Sequence, residues 1–103
     1  MTGTLVVAAP PRLDSESRVD FRCAALDCLE RLGRIGGEAL TIDLAKTRDV
    51  DASGLGTLVL VHKRARERGF ITRLLHTPHA IRMLLTTTRL EPLFEFESDA
   101  SVN

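Results

Sequence analysis

The sequence predicts an α/β domain, a small mixed or parallel β-sheet of about four strands packed with helices. Three observations predict it. Leu40, Ile42 and Leu44 alternate with Thr41 and Asp43, the two-residue period of a strand. Other stretches repeat their apolar residues at three- and four-residue spacing, the period of a helix buried along one side. From residue 38 onward strand, helix, strand, helix and strand follow one another, the order that right-handed crossovers in a parallel sheet produce.

Residues 4–9, Thr-Leu-Val-Val-Ala-Ala, read as the first strand. Pro10 and Pro11 end it, because neither can donate to a sheet ladder. Asp14 or Ser15 can cap the helix that follows. That helix spans 17–33, with Phe21, Ala25, Cys28, Leu29 and Leu32 as its apolar stripe. Cys28 therefore belongs to the core. Cys23 lies beside Val19 and Leu26 on another face. Gly33, Gly36 and Gly37 supply a loop to the central strand. The polar residues Lys46 to Asp49 interrupt the pattern after that strand.

Asp51 and Ser53, both good capping types, then precede a second helix. Its core stripe reads Leu55, Leu58, Val59, His62 and Ala65, and Gly69 stops it. A lone histidine on such a stripe reads as a packed residue. Lys63, Arg64, Arg66 and Arg68 suit the negative end of the helix dipole. Residues 70–76 are the next strand. Thr77 is the expected cap of a third helix with Pro78 at its first position. Ile81, Leu84, Leu85 and Thr88 mark that helix's inner face. Leu93, Phe94 and Phe96 form a last short strand, and 98–103 a frayed tail.

At 103 residues and 44% apolar composition, one domain over 1–103 is expected, with its core at about 4–97. Fourteen basic and fourteen acidic residues balance, which gives no electrostatic pull toward nucleic acid or an anionic membrane. There is no Trp or Tyr and only four Phe, so no stacking platform for bases is evident. No apolar run is long enough to span a bilayer, and no basic stretch with an apolar run opens the chain. A cytoplasmic protein without membrane insertion is expected. Cys23 and Cys28 point about 140° apart on one helix and cannot pair with each other without unwinding it. Reduced thiols are expected.

The start of the second helix has chemical potential. Its first backbone N–H groups lack intrahelical partners and the dipole is positive there, so an anion on Ser53 would be stabilised. Gly54 and Gly56 leave the hydroxyl accessible. Ser53 reads either as a phosphate acceptor or simply as a cap. A second helix face, Gly56, Leu60, Lys63, Arg64 and Glu67, points away from the core stripe and is a candidate protein-binding surface starting at Ser53. Leu60 on it is equally readable as an ordinary exposed leucine.

The run Leu40-Thr41-Ile42-Asp43-Leu44, a gap, and Val50-Asp51-Ala52-Ser53-Gly54-Leu55-Gly56 resembles the signature of STAS domains, in particular of bacterial anti-sigma factor antagonists. That signature is a hydrophobic strand ending in Asp-Leu, then Asp-Ser-Ser-Gly-Leu-Gly. Its second serine is phosphorylated and matches Ser53. Asp51 matches the aspartate, and Ala52 replaces the first serine. Leu13 and Asp14 match an upstream Gly-x-Leu-Asp, with Pro11 in place of the glycine. Arg89 replaces a glycine before Leu90. Many members carry an extra first strand for which this chain has no room, so a sheet one strand smaller, with a more exposed edge, is expected.

The resemblance implies a STAS-like fold and an anti-sigma factor antagonist. Such a domain binds an anti-sigma factor that is also a serine kinase and so frees the sigma factor. The kinase phosphorylates the matched serine and the pair separates; a serine phosphatase resets it. Ser53 is the implied phosphorylation site. Asp14, Asp51, Ala52, Ser53, Gly54, Gly56, Leu60 and Lys63 are the expected partner-binding residues. No cofactor, metal or catalytic residue is expected. The alternative is a STAS subunit docking on the ATPase of a lipid-transport ABC system through the same face; Ser53 and Gly56 favour the sigma-factor branch. A serine hydrolase would need a histidine beside Ser53, and His62 is roughly 13 Å along the helix. His76 and His79 have too few neighbouring ligands for zinc.

Overall fold

The computed structural model describes residues 3–97. The chain runs β1 (Thr4–Ala8), β2 (Arg12–Leu13), α1 (Arg18–Ile35), β3 (Ala39–Asp43), β4 (Asp49–Val50), α2 (Ala52–Glu67), β5 (Ile71–Leu75), α3 (His79–Thr87), a 3₁₀ turn (Glu91–Leu93) and β6 (Glu95–Glu97). The main sheet has the order β1-β3-β5-β6, and each neighbouring pair is parallel. Strands that add in sequence through right-handed crossovers place their helices on one face. The register agrees. Val7, Ile42 and Leu74 lie side by side, as do Leu5, Leu40 and Thr72. Val7, Leu40, Ile42 and Leu74 join Phe21, Leu29, Leu58, Val61, Ile81 and Leu85 in one core.

The other face carries Val6, 56% exposed, beside Thr41 and Arg73. Thr41 is nonetheless only 2% exposed. The alternation in β3 is therefore real in direction but not in exposure, because the small central residues are shielded by their neighbours on both sides. β1 is an edge strand of the main sheet.

Several boundaries differ from the sequence expectation. α1 passes through Gly33 and stops at Gly36, whose φ of 70° is left-handed. A glycine inside a helix costs about 1 kcal/mol and does not end it; the left-handed position does. The buried side of α2 is Gly54, Thr57, Leu58, Val61 and Ala65. Leu55, Val59 and His62 of the expected stripe are only partly buried. The helix is rotated so that Val61 replaces His62 against the sheet. Pro78 itself occupies the cap position of α3, extended at φ −61° and ψ 148°. The Thr77 hydroxyl makes no cap; it is buried without a hydrogen-bond partner among the described residues. On the inner face of α3, Ile81 and Leu85 are buried, Leu84 is partly so and Thr88 is exposed. Leu93 belongs to the 3₁₀ turn, so the last strand is shorter than expected. The tail expected at 98–103 lies outside the described residues.

Pro11 and Arg89 stand where glycines were expected. The Pro11 carbonyl accepts from Arg48 N at 2.8 Å and directs the chain into β2. β2 pairs with β4 in a small parallel ladder, Arg12 with Asp49 and Leu13 with Val50. The polar stretch 46–49 hid this pairing from sequence reading.

Candidate functional site

The loop between β3 and β4 is tied down at each step. Asp43 Oδ1 accepts from Ala45 N at 2.9 Å. Thr47 N donates to Leu44 O at 3.0 Å. The Thr47 hydroxyl, buried, donates to Pro10 O at 2.9 Å. The β2–β4 ladder then brings Leu13 beside the start of α2, where its carbonyl accepts from Asp51 N at 3.3 Å.

Asp51 caps α2. Its backbone is extended, and its carboxylate accepts from Gly54 N at 2.9 Å. Its carbonyl accepts from Leu55 N at 2.8 Å. Ser53 is thus the second residue of the helix and not its cap. Its hydroxyl makes no hydrogen bond among the described residues. Its carbonyl accepts from Thr57 Oγ1 at 2.9 Å. The amides of Ala52 and Ser53 occupy the helix positions that lack intrahelical acceptors. An oxyanion on Ser53 would meet both the amides and the positive helix end.

Of the expected partner residues, Asp51, Ala52, Gly56 and Lys63 are exposed, and Ser53 and Leu60 are partly buried. A side chain at Gly56 would meet nothing within 4 Å. Leu60 lies roughly 10 Å along the helix from Ser53. Gly54 differs. It is buried, and a Cβ there would overlap the Leu13 carbonyl. Its role is to let the β2 segment close on α2, so it offers no surface of its own.

Asp14 follows Leu13 and flanks the same helix start. Its carboxylate accepts from Glu16 N at 3.0 Å and Ser17 N at 3.2 Å. Its carbonyl accepts from Arg18 N at 2.9 Å. The Ser17 amide above all, with the Glu16 amide, the Ser17 hydroxyl and Arg12, holds its carboxyl below the usual range against partial desolvation. Much of the carboxylate is spent on shaping its own turn.

His62 is remote from this chemistry. Its ring meets Phe94 edge-on at 5.6 Å, and burial and then Arg66 lower its pKa. One pair at the same end of the sheet escaped sequence reading. His76 Nδ1 lies 3.1 Å from Asp43 Oδ1. The register sets Asp43 opposite Leu75, one residue before His76, so only the β3–β5 pairing could have revealed it. The groove between α1 and α2, lined by Cys23, Leu26, Glu30, Arg64 and Arg68, contains none of the residues around Ser53. Among the described residues no three His, Cys, Asp or Glu side chains gather as a metal site. None of their helices is long and apolar enough to cross a membrane.

The fold has solved relatives. A Thermotoga maritima protein named as an anti-sigma factor antagonist superposes with a TM-score of 0.75 at 19% identity, over 93% of this chain and 82% of that one. The anti-sigma factor antagonist SpoIIAA in its unphosphorylated form gives 0.71 at 15% identity, over 98% and 85%. The phosphorylated form of SpoIIAA, a Bacillus cell fate determinant, gives 0.68 at 15% identity, over 98% and 88%. No curated protein matches the chain in sequence. The STAS domain family model matches residues 2–101, and its parallel sheet of sequential strands is the fold of those solved relatives. The chain belongs to the STAS domain family.

Proposed function

We propose that the protein is an anti-sigma factor antagonist, a cytoplasmic binding module without catalysis of its own. Unphosphorylated, it holds an anti-sigma factor that is also a serine kinase, and sigma-factor-dependent transcription proceeds. Phosphorylation of Ser53 ends the complex, and a serine phosphatase restores it. The observation that carries the reading is the division of labour at the start of α2. Asp51 does the capping, which leaves the Ser53 hydroxyl uncommitted on a dipole-positive turn.

The energetics support a switch. A phosphoryl group adds about −1.5 to −2 charges. The free amides and the dipole accommodate that charge within the domain. A packed interface would have to desolvate it, and Asp51 next to it adds repulsion. Binding is lost and the fold is kept. Around Ser53, the surface of Asp51, Ala52, Gly56, Leu60 and Lys63 forms the docking face, with Asp14 at its border.

The test is affinity purification of the tagged protein from its own host, with the intact mass of the bait. A co-purifying ATPase-fold kinase, and a phosphorylated fraction absent from Ser53→Ala, is the expected result. A transporter ABC ATPase as partner, with Ser53 unmodified, would overturn it.

A further inference from the structure

Concave surfaces converge on the ridge formed by Pro10 and Pro11. One of about 600 Å³ is lined by Pro11, Arg12, Ala45, Lys46, Arg48 and Asp49. It gathers three cations and one carboxylate. A neighbouring one shares Pro11 and Lys46 and sets Ser17 and Asp20 beside the apolar Ala9, Pro10, Phe21 and Ala24. The cations sit on a rigid support. Thr47 points inward, 1% exposed, and its hydroxyl is bound to Pro10 O. Lys46 and Arg48 on either side of it are exposed. The Arg48 amide is bound to Pro11 O, and the Arg12–Leu13 strand is paired to Asp49–Val50.

Little of this charge is used inside the domain. Lys46 and Arg48 form no ion pair among the described residues, and Lys46 is only the last of the influences on Asp43. Arg12 is 74% exposed and reaches Asp14 only at 3.8 Å. The other basic cluster, at the end of α2, is partly engaged. Arg68 pairs with Glu30 at 3.4 Å and lies over Phe70, and the cluster meets the negative helix end. Because the backbone of this loop is already fixed, an arriving carboxylate has to order only the side chains of the cations.

We infer that the Arg12–Lys46–Arg48 concavity is the docking site for an acidic segment of the protein that binds the Ser53 face. The inference rests on the reading of Ser53 as the centre of that face. The β4 strand that leaves this loop runs directly into Asp51, and the Arg12–Leu13 strand paired with it is bonded to Asp51 N through Leu13 O, so the loop adjoins the Ser53 turn. Complementary charge at the border of an interface acts mainly on the association rate and on partner choice.

Two measurements test it. In the first, the ¹⁵N-labelled Ser53→Ala chain is titrated at low salt with the acetylated peptide Asp-Glu-Glu-Leu-Asp-Glu. Amides 45–49 are expected to shift and saturate, those of Arg64, Arg66 and Arg68 to shift less, and the Lys46→Glu/Arg48→Glu variant to abolish the saturable shifts. Equal shifts at both basic clusters, or shifts that survive the double variant, would overturn the inference. In the second, the double variant binds the purified partner kinase with an association rate lower by about tenfold or more and a weaker salt dependence. If Ser53→Asp prevents kinase binding while the double variant keeps the wild-type rate and salt dependence, the inference falls and the switch stands. If Ser53→Asp binds like wild type, the switch falls and the peptide titration judges the loop by itself.

Discussion

The carbonyl oxygen of Leu13 occupies the place where a side chain on Gly54 would begin. A Cβ at Gly54 would overlap that oxygen and press on Val50 Cγ1 at 3.0 Å. The same carbonyl accepts from Asp51 N, and the Leu13 side chain is fully buried. The segment that presents Asp14 and the turn that presents Ser53 are thus fixed to each other through the absent side chain of Gly54.

Gly54→Ala should therefore destabilise the domain by about 1–3 kcal/mol, the usual cost of forcing a methyl group into a packed site. For a domain of this size that is a melting point lower by roughly 4–8 °C per kcal/mol. Gly56→Ala should do the reverse, since nothing lies within 4 Å of its Cβ and alanine gains up to about 1 kcal/mol in a helix. Thermal melts of the two variants check both signs. A Gly54→Ala melt equal to wild type would mean that β2 and α2 do not depend on this approach.

A second pair of positions gives a backbone prediction. α2 ends with Gly69 at φ 81°, Gly69 N bonded to Arg66 O and Phe70 N to Ala65 O. α3 ends identically with Arg89 at φ 62°, Arg89 N bonded to Thr86 O and Leu90 N to Leu85 O. The arginine has taken the left-handed place where glycine was expected. That conformation costs a residue with a Cβ about 1–2 kcal/mol, part of which a more flexible unfolded glycine would offset. Arg89→Gly should raise stability by about 0.5–1 kcal/mol, and Gly69→Ala should lower it by about 1 kcal/mol. Urea midpoints at unchanged slope would measure both.

These terminations also indicate how much the sequence could say. The α1 stripe, Phe21 to Leu32, was legible because its residues are large, apolar and at one spacing. The strands of the main sheet were legible because β-formers are bounded by Pro and Gly. The buried face of α2 is not legible in the same way, because Gly54 and Thr57, small or polar, are buried where a pattern of large apolar residues shows nothing. The β2–β4 ladder has only two residues on each side and lies in polar sequence, so no periodicity marks it. At the site, Ser53 and Asp51 could be named from the sequence, but not which of them caps. That depended on where the helix begins, which the Leu13 contact and the Asp51 backbone decide. The Asp43–His76 pair depends on strand register, which no single stretch carries.

Acid should weaken the fold through Asp43 and Asp14. The Ala45 amide above all, then the His76 hydrogen bond and nearby positive charge, holds the Asp43 carboxyl below its ordinary value of 3.8. Asp14 is lowered in the same direction by the amides of its turn. A depressed folded pKa means that the unfolded chain takes up protons first as pH falls. The stabilisation is whole above the ordinary value and is lost as pH falls through it toward the folded one. Melting temperature should drop between about pH 5 and pH 3. Asp43→Asn keeps an oxygen for the Ala45 amide without the titration, so its melting point should fall less across that window. A parallel drop in the variant would remove Asp43 from the account.

Ser53 allows stability and binding to be separated. Its hydroxyl holds no hydrogen bond among the described residues, so Ser53→Ala should stay within about 0.5 kcal/mol of wild type. Ser53→Asp puts a carboxylate in the first turn, where the dipole favours it by about 0.3–1 kcal/mol, although Asp51 two residues away opposes part of that gain. Neither variant should unfold the domain. Their binding should nevertheless diverge. Ser53→Ala should still hold the kinase and never acquire a phosphoryl group, whereas Ser53→Asp should lose about 2 kcal/mol or more of affinity from burying an unpaired charge. Calorimetry of both variants against the kinase, beside their melts, gives the comparison. If Ser53→Asp lost affinity only in proportion to a lowered melting point, the site would be structural and the switch would have to lie elsewhere on the domain.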